Sequence, residues 1–143
     1  MNRNWKRREE GTYWIHSEVV HVLQEHCVNQ LPQEGCGILA GSGREITSFF
    51  PVKNQEERTN AYSFEARSYL TALKEIRNQA IQWIGIIHSH PNTEPYPSFE
   101  DIARWPDPML TCWILSLKEQ PNLAAFSIRE GTCLPIPYRV KVI

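Results

Sequence analysis

The chain of 143 residues is sized for one domain of ordinary length, enough to bury a core without disulfide or metal support. Hydrophobic residues make up 41%, which excludes a disordered chain, and the net charge of -1 excludes a global field that would draw it to nucleic acid or an anionic membrane. No run reaches the ~18 apolar residues of a membrane helix, and the polar start MNRNWKRREEG has no apolar core like that of a secretory signal, so the expected location is cytoplasmic.

Residues 1–11 are expected to form a loose, solvated tail, and 12–143 a single domain. A helix is predicted over 17–30. Ser17 is placed to cap it, Glu18 suits its first turn, and Val19, Val20, Leu23 and Cys27 fall at helical spacing before Pro32 ends the segment. The apolar run CGILAG (36–41) and the run REITSFFPV (44–52), separated by a Ser-Gly turn, predict a hairpin. A second helix is predicted over 66–79, with Ala66, Tyr69, Leu70, Leu73 and Ile76 on one stripe.

IQWIGIIHSH (81–90) is apolar almost throughout, the pattern of a strand covered on both faces. One helical turn is expected near 99–104, and strands over 111–117, 123–128 and 133–143. Pro135 and Pro137 put that last strand at an edge or make it irregular. The order predicts an α/β (α+β) fold, a single mixed β-sheet flanked by helices.

His88 and His90 are two apart on the predicted strand, so both side chains leave the same face. Their Cα atoms would lie roughly 6.6 Å apart, close enough for two imidazoles to converge on one metal ion. Pro91 stops the strand at once and leaves the pair at its C-terminal mouth. Asp101 arrives after a loop long enough to fold back and offer an oxygen, which gives three protein donors with room for water. Glu34 precedes Gly35-Cys36-Gly37 at the start of a strand, where bare backbone can lie close to a ligand, and is a candidate base. Asp107 is the nearest alternative carboxylate.

The remaining candidates read more plainly. Cys27, Cys36, Cys112 and Cys133 form no Cys-x-x-Cys pair and are expected to be reduced, mostly buried thiols. A nucleophilic Cys36 is disfavoured, because the neighbouring Glu34 carboxylate raises a thiol pKa. His16, His21 and His26 recur every five residues, about 140° apart on a helix, so they cannot share a metal and are expected to be solvated. Ser89 faces away from the histidines and is expected in the core or bonded to backbone. Trp83, Trp105 and Trp113 read as core and rim aromatics, with Trp105 also a candidate wall of a substrate groove. Glu94 reads as a solvated loop residue, and Tyr96 stands beside it. Neither His-Glu-x-x-His nor the deaminase signature occurs.

PQEGCGILAG (32–41) and HSHPNTEPYPSFED (88–101) resemble the JAMM, or MPN-plus, metalloproteases in their compact bacterial form. That motif is an upstream glutamate, His-x-His-Pro, a serine eight residues after the second histidine and an aspartate three after the serine. Here these are Glu34, His88, His90, Ser98 and Asp101. The resemblance spans roughly 15–130. It implies an MPN/JAB domain of cytidine-deaminase-like architecture, with Zn2+ held by His88, His90 and Asp101. By the same resemblance Glu34 handles the water and Ser98 helps hold the tetrahedral intermediate. It further implies cleavage of a peptide or isopeptide bond, often after the C-terminal glycine of ubiquitin or a relative. The short chain leaves little room for the insertions with which larger members grip ubiquitin, so a ubiquitin-like or sulfur-carrier protein tail is the expected partner. Homodimer formation stays open, as do two alternatives: a catalytically inactive MPN scaffold, and a zinc amidohydrolase of a small molecule.

Overall fold

The computed structural model describes residues 11–143, so the expected tail lies, apart from Gly11, outside the described residues. In chain order the elements are β1 (Tyr13–His16), α1 (Ser17–Asn29), β2 (Cys36–Ser42), β3 (Glu45–Val52), α2 (Ala66–Asn78), β4 (Gln82–His90), α3 (Phe99–Ala103), β5 (Thr111–Ser116), β6 (Asn122–Arg129), β7 (Thr132–Pro135) and β8 (Tyr138–Lys141). Among the described residues the strands form one eight-stranded sheet in the order β7-β6-β5-β4-β2-β3-β1-β8. β1 runs parallel to β3 and β8, and β4 parallel to β5. The other neighbours are antiparallel, including the expected β2–β3 hairpin.

Two local expectations are corrected, and one strand was not predicted. Tyr13–His16 is a strand, with Tyr13 and Ile15 buried and Trp14 outward. Its alternation is the period of a half-buried strand, but four residues are too short to stand out. The N-cap of α1 is His16 rather than Ser17, and no side chain caps it. The strand expected over 133–143 is two strands on opposite edges of the sheet. The Ile136 N–H bonds Ala125 O at 2.9 Å, and the Pro137 carbonyl accepts the Tyr13 N–H at 3.1 Å. Only two residues separate β7 from β8, and three residue steps span at most about 11 Å. The two edges must therefore approach each other, and the sheet curls toward a barrel.

Each face of the sheet has its own helices. α1 packs its Val19, Leu23 and Cys27 against Ile15, Leu39, Ile84, Ile87, Trp113 and Leu115. On the other face α2 covers β2 and β3 through Ala72 and Ile76 on Ile38, Ala40 and Val52. Ile102 and Trp105, at and just after α3, cover β5 and β6 at Cys112, Ile114, Phe126 and Ile128. Residues alternate along a strand, so with Ile87 on the α1 face, His88 turns to the face that carries α2 and α3. β4 lies mid-sheet, between β5 and β2, and its C-terminal end opens between those two helical covers.

Candidate metal centre

β2 is antiparallel to β4, and its first residue, Cys36, pairs with His88. The chain just before β2 is therefore at the end of β4 where the histidines sit. Ser89 locks that juxtaposition. Its Oγ accepts the Gly35 N–H at 2.8 Å, and its backbone N–H donates to Gly35 O at 2.9 Å. Glu34, one residue earlier, is held beside the site. The glycines around Cys36 lie against neighbouring elements on the side where a side chain would stand. A Cβ on Gly35 would lie 2.9 Å from Cys27 Cα, and one on Gly37 2.5 Å from a Phe49 ring carbon. They admit α1 and the β3 side chains.

Asp101 comes from the first turn of α3. Ser98 is the N-cap and Asp101 its reciprocal partner: Ser98 Oγ accepts the Asp101 N–H at 3.0 Å, and the Ser98 N–H donates to Asp101 Oδ2 at 2.9 Å. The same Oδ2 lies 3.1 Å from His88 Nε2 and 3.2 Å from His90 Nε2. One ligand atom from each of His88, His90 and Asp101 falls within 4.8 Å of the others, so the group could hold a metal ion. His90 Nδ1 faces the Glu94 carbonyl at 2.9 Å, so Nδ1 carries the hydrogen and donates it. In the neutral ring Nε2 then turns its lone pair toward a carboxylate oxygen, an arrangement that calls for a shared cation.

Burial sets the protonation of this group. Asp101 is held well below the usual carboxylate range: burial alone would raise it, but the close pairing with the His88 and His90 rings outweighs that cost. Burial also lowers the pKa of His88, only partly offset by Asp101. For His90 burial pulls down too, yet the bond to Asp101, the Glu94 carbonyl and the Glu34 charge carry it upward. Glu34 is 3% exposed and its Oε1 has no hydrogen-bond partner. Burial pushes it up to about 8, with the His90 charge opposing and Asp101 and Glu100 adding. A buried carboxyl oxygen without a partner beside three convergent donors fits a site that takes in a cation and a polar ligand.

A family model described as prokaryotic homologs of the JAB domain matches residues 16–129. The chain belongs to the prokaryotic JAB family. This JAB domain is 34% identical over 93 residues to a desampylase of Haloferax volcanii, an alignment that covers 62% of this chain and 67% of that protein. It is 25% identical over 130 residues to a CysO-cysteine peptidase of Mycobacterium tuberculosis, covering 88% and 89% respectively. A solution structure from Desulfitobacterium hafniense matches at a TM-score of 0.85 and 28% identity, over 92% of this chain and 94% of that one. The mixed sheet flanked by helices is the JAB/MPN fold expected from the sequence.

The JAB domain also sorts the remaining candidates. Cys36 is buried and its Sγ points at Val52 O, 3.4 Å away; burial, then Cys27 and Glu34, push the thiol above its ordinary range. Asp107 lies outside the donor group and accepts the Met109 N–H. Trp105 takes the place of a core and rim aromatic. It packs on the β5–β6 cluster and donates to Leu110 O at 3.3 Å, while Pro106 reaches the cavity. Glu94 is exposed, as expected, and pairs with Lys118 at 3.1 Å. Tyr96 stands its ring edge-on against Phe126. Two of the three histidines expected to be solvated are not: His16 bonds Glu45 at 2.7 Å, and His26 packs on the Phe49 ring. His21 stays at the surface beside Glu25.

The sequence reading missed Tyr62, whose ring stacks on His88 with centroids 4.4 Å apart and planes 23° from parallel. It sits in a loop with no motif, so nothing local announces it. Tyr62 also lines a cavity of about 190 Å³ beside Asp101, together with Phe64, Ile86, Glu100 and Arg104. Arg58 bridges Glu56 and Glu100 at that rim, at 3.1 and 3.0 Å. Among the described residues no helix is long and apolar enough to cross a membrane.

Proposed function

We propose that this chain is a single-domain zinc-dependent peptidase that hydrolyses the peptide or isopeptide bond following the C-terminal glycine of a ubiquitin-like or sulfur-carrier protein. The observation that carries the reading is the meeting of His88 Nε2, His90 Nε2 and Asp101 Oδ2 near a buried Glu34 with an unpartnered oxygen. Two imidazoles and one carboxylate are a donor set that suits zinc. The peptidase named among the relatives supports hydrolysis. The C-terminal-glycine substrate comes from the family motif.

Zinc held by His88, His90 and Asp101 would lower the pKa of a bound water toward ~7 and polarise the scissile carbonyl. The chain's own groups do the rest. Glu34 takes a proton from the attacking water as its oxygen bonds the carbonyl carbon. The positive charge gathered at the metal donors favours the ionised carboxylate that this step needs. Ser98 Oγ already accepts from Asp101, which leaves its own proton free to donate to the developing oxyanion. As the C–N bond breaks, Glu34 returns its proton to the leaving nitrogen, and an amine departs with a carboxylic acid, which ionises by giving up the water's second proton. Cys36 takes no part.

The test is incubation of zinc-loaded protein with a ubiquitin-like carrier fused through its terminal Gly-Gly to a second peptide, followed by mass spectrometry. The expected product is the carrier ending at that glycine, with chelator suppressing it. An intact fusion across a panel of such carriers, with zinc bound at full occupancy, would overturn the reading.

A further inference from the structure

His88 and His90 are held in different ways. His90 is fixed by a hydrogen bond from Nδ1 to the Glu94 carbonyl. His88 is fully buried, yet its Nδ1 has no hydrogen-bond partner. Metal-ligating histidines almost always anchor the second ring nitrogen, because that contact sets ring orientation. The last torsion of a histidine is broad and roughly two-fold, so an unanchored ring can turn its Nε2 away from the point where Asp101 and His90 meet. The His88 ring meets His90 at a tilt, with centroids 5.1 Å apart and planes 58° from parallel, and its Nε2 lies 3.1 Å from Asp101 Oδ2; the contact that lies flat on its face is Tyr62, 4.4 Å away and 23° from parallel.

Tyr62 is braced in that position. Its ring touches Phe64 at 5.9 Å, Phe64 touches Tyr69 of α2 at 5.6 Å, and Tyr69 meets Trp83 of β4 at 5.9 Å. The ring series thus starts and ends on the strand that carries His88. The loop is tied as well. Asn54 donates from Nδ2 to Glu34 O at 2.9 Å and to Ala61 O at 3.3 Å, and its Oδ1 accepts the Glu56 and Ser63 N–H groups at 2.9 and 3.0 Å. Gln33 Nε2 donates to Glu56 O at 2.9 Å. The segment that presents Tyr62 is therefore fastened to the backbone of Glu34 and to the residue before it.

We propose that Tyr62 is the positioning residue for His88, fixing by ring stacking the imidazole orientation that the Glu94 carbonyl fixes for His90. The inference rests on the reading of His88 as a metal donor. It assigns the work to the ring face and not to the hydroxyl.

The experiment measures Zn2+ affinity of the full chain by competition with a chromophoric chelator, in wild type, Tyr62→Phe, Tyr62→Leu and His88→Ala. Loss of a group that orients a metal ligand typically costs 10- to 100-fold in affinity, and a fall of about that size is expected for Tyr62→Leu. Tyr62→Phe should bind like wild type. A ring that merely filled space in the fold would lower the melting temperature of Tyr62→Leu and leave its zinc affinity intact, and that result overturns the proposal. Tyr62→Phe as weak as Tyr62→Leu overturns it too, since the hydroxyl would then be the acting group. Should Tyr62→Leu not fold, NMR of the metal-free wild type decides. The His88 ring protons should be shifted upfield by the Tyr62 face and show cross-relaxation with it, and their absence overturns the stack. Zinc kept by His88→Ala refutes the metal reading, and this inference with it. Zinc lost by His88→Ala but kept by a folded Tyr62→Leu refutes only the role of Tyr62.

Discussion

Ser89 and Gly35, 54 residues apart in the chain, exchange two hydrogen bonds, one through the Ser89 hydroxyl and one through its backbone. The hydroxyl bond is the only link in that pair which a side-chain change can cut. Ser89→Ala leaves the Gly35 N–H buried without a partner, at a cost of about 1–3 kcal/mol. Urea denaturation should read that loss. Because Gly35 carries Glu34, turnover should fall further than the stability change explains, while bound metal stays near wild type. Unchanged stability would mean that a water or another acceptor replaces Ser89.

Metal removal tests the donor set. Wild-type protein dialysed against a weak chelator is expected to retain about one zinc per chain by elemental analysis. His88→Ala should lose it, and Asp107→Asn should not, since the Asp107 carboxylate lies outside the donor group and accepts the Met109 N–H within its own turn. Equal metal content in all three proteins would remove the basis for the site.

Glu34 separates a base from a ligand. Glu34→Gln keeps the size of the side chain and can still hydrogen-bond water, but it cannot accept a proton. General-base catalysis is worth about 10²–10⁴-fold, so turnover should drop by at least that while metal content holds. Loss of metal in Glu34→Gln would make Glu34 a ligand, and full activity would require another base.

In the proposed mechanism Ser98 has two duties, and its variants should separate them. As the N-cap of α3 it orients the helix turn that carries Asp101. Ser98→Ala removes a cap worth ~0.5–2 kcal/mol, so metal affinity should weaken alongside turnover. Loss of one oxyanion donor accounts for roughly 10²–10³ in kcat. Ser98→Thr keeps both the cap and the hydroxyl, and its metal affinity should stay near wild type. Competition titration beside steady-state kinetics reads the two effects separately. Undiminished affinity in Ser98→Ala would show that the cap does not hold Asp101.

The regular elements and the grouping of His88, His90 and Asp101 were legible because their signals are local or periodic. Alternation placed both histidines on one face, Pro91 placed them at a strand end, and the loop length let Asp101 return. What stayed hidden depends on long-range partners. Tyr13–His16 is a strand only because β3 and β8 flank it. The split at Ile136 depends on the curl of the sheet, which no window of residues 133–143 contains. Tyr62 reaches His88 through a loop organised by Asn54, and neither residue carries a motif. That Gly35 and Gly37 admit Cys27 and Phe49 could not be read either, because those neighbours come from other elements.

β4, paired on both sides, contrasts with the five-residue α3, whose Phe99 is 90% exposed. Two of the three donors thus stand on the part of the molecule that opens only with the whole sheet. The third rides on a single turn that can fray by itself. Such a centre has a fixed jaw and a hinged one. Hydrogen exchange should therefore find the amides of the Asp101 turn less protected than those of the strand that holds the histidines.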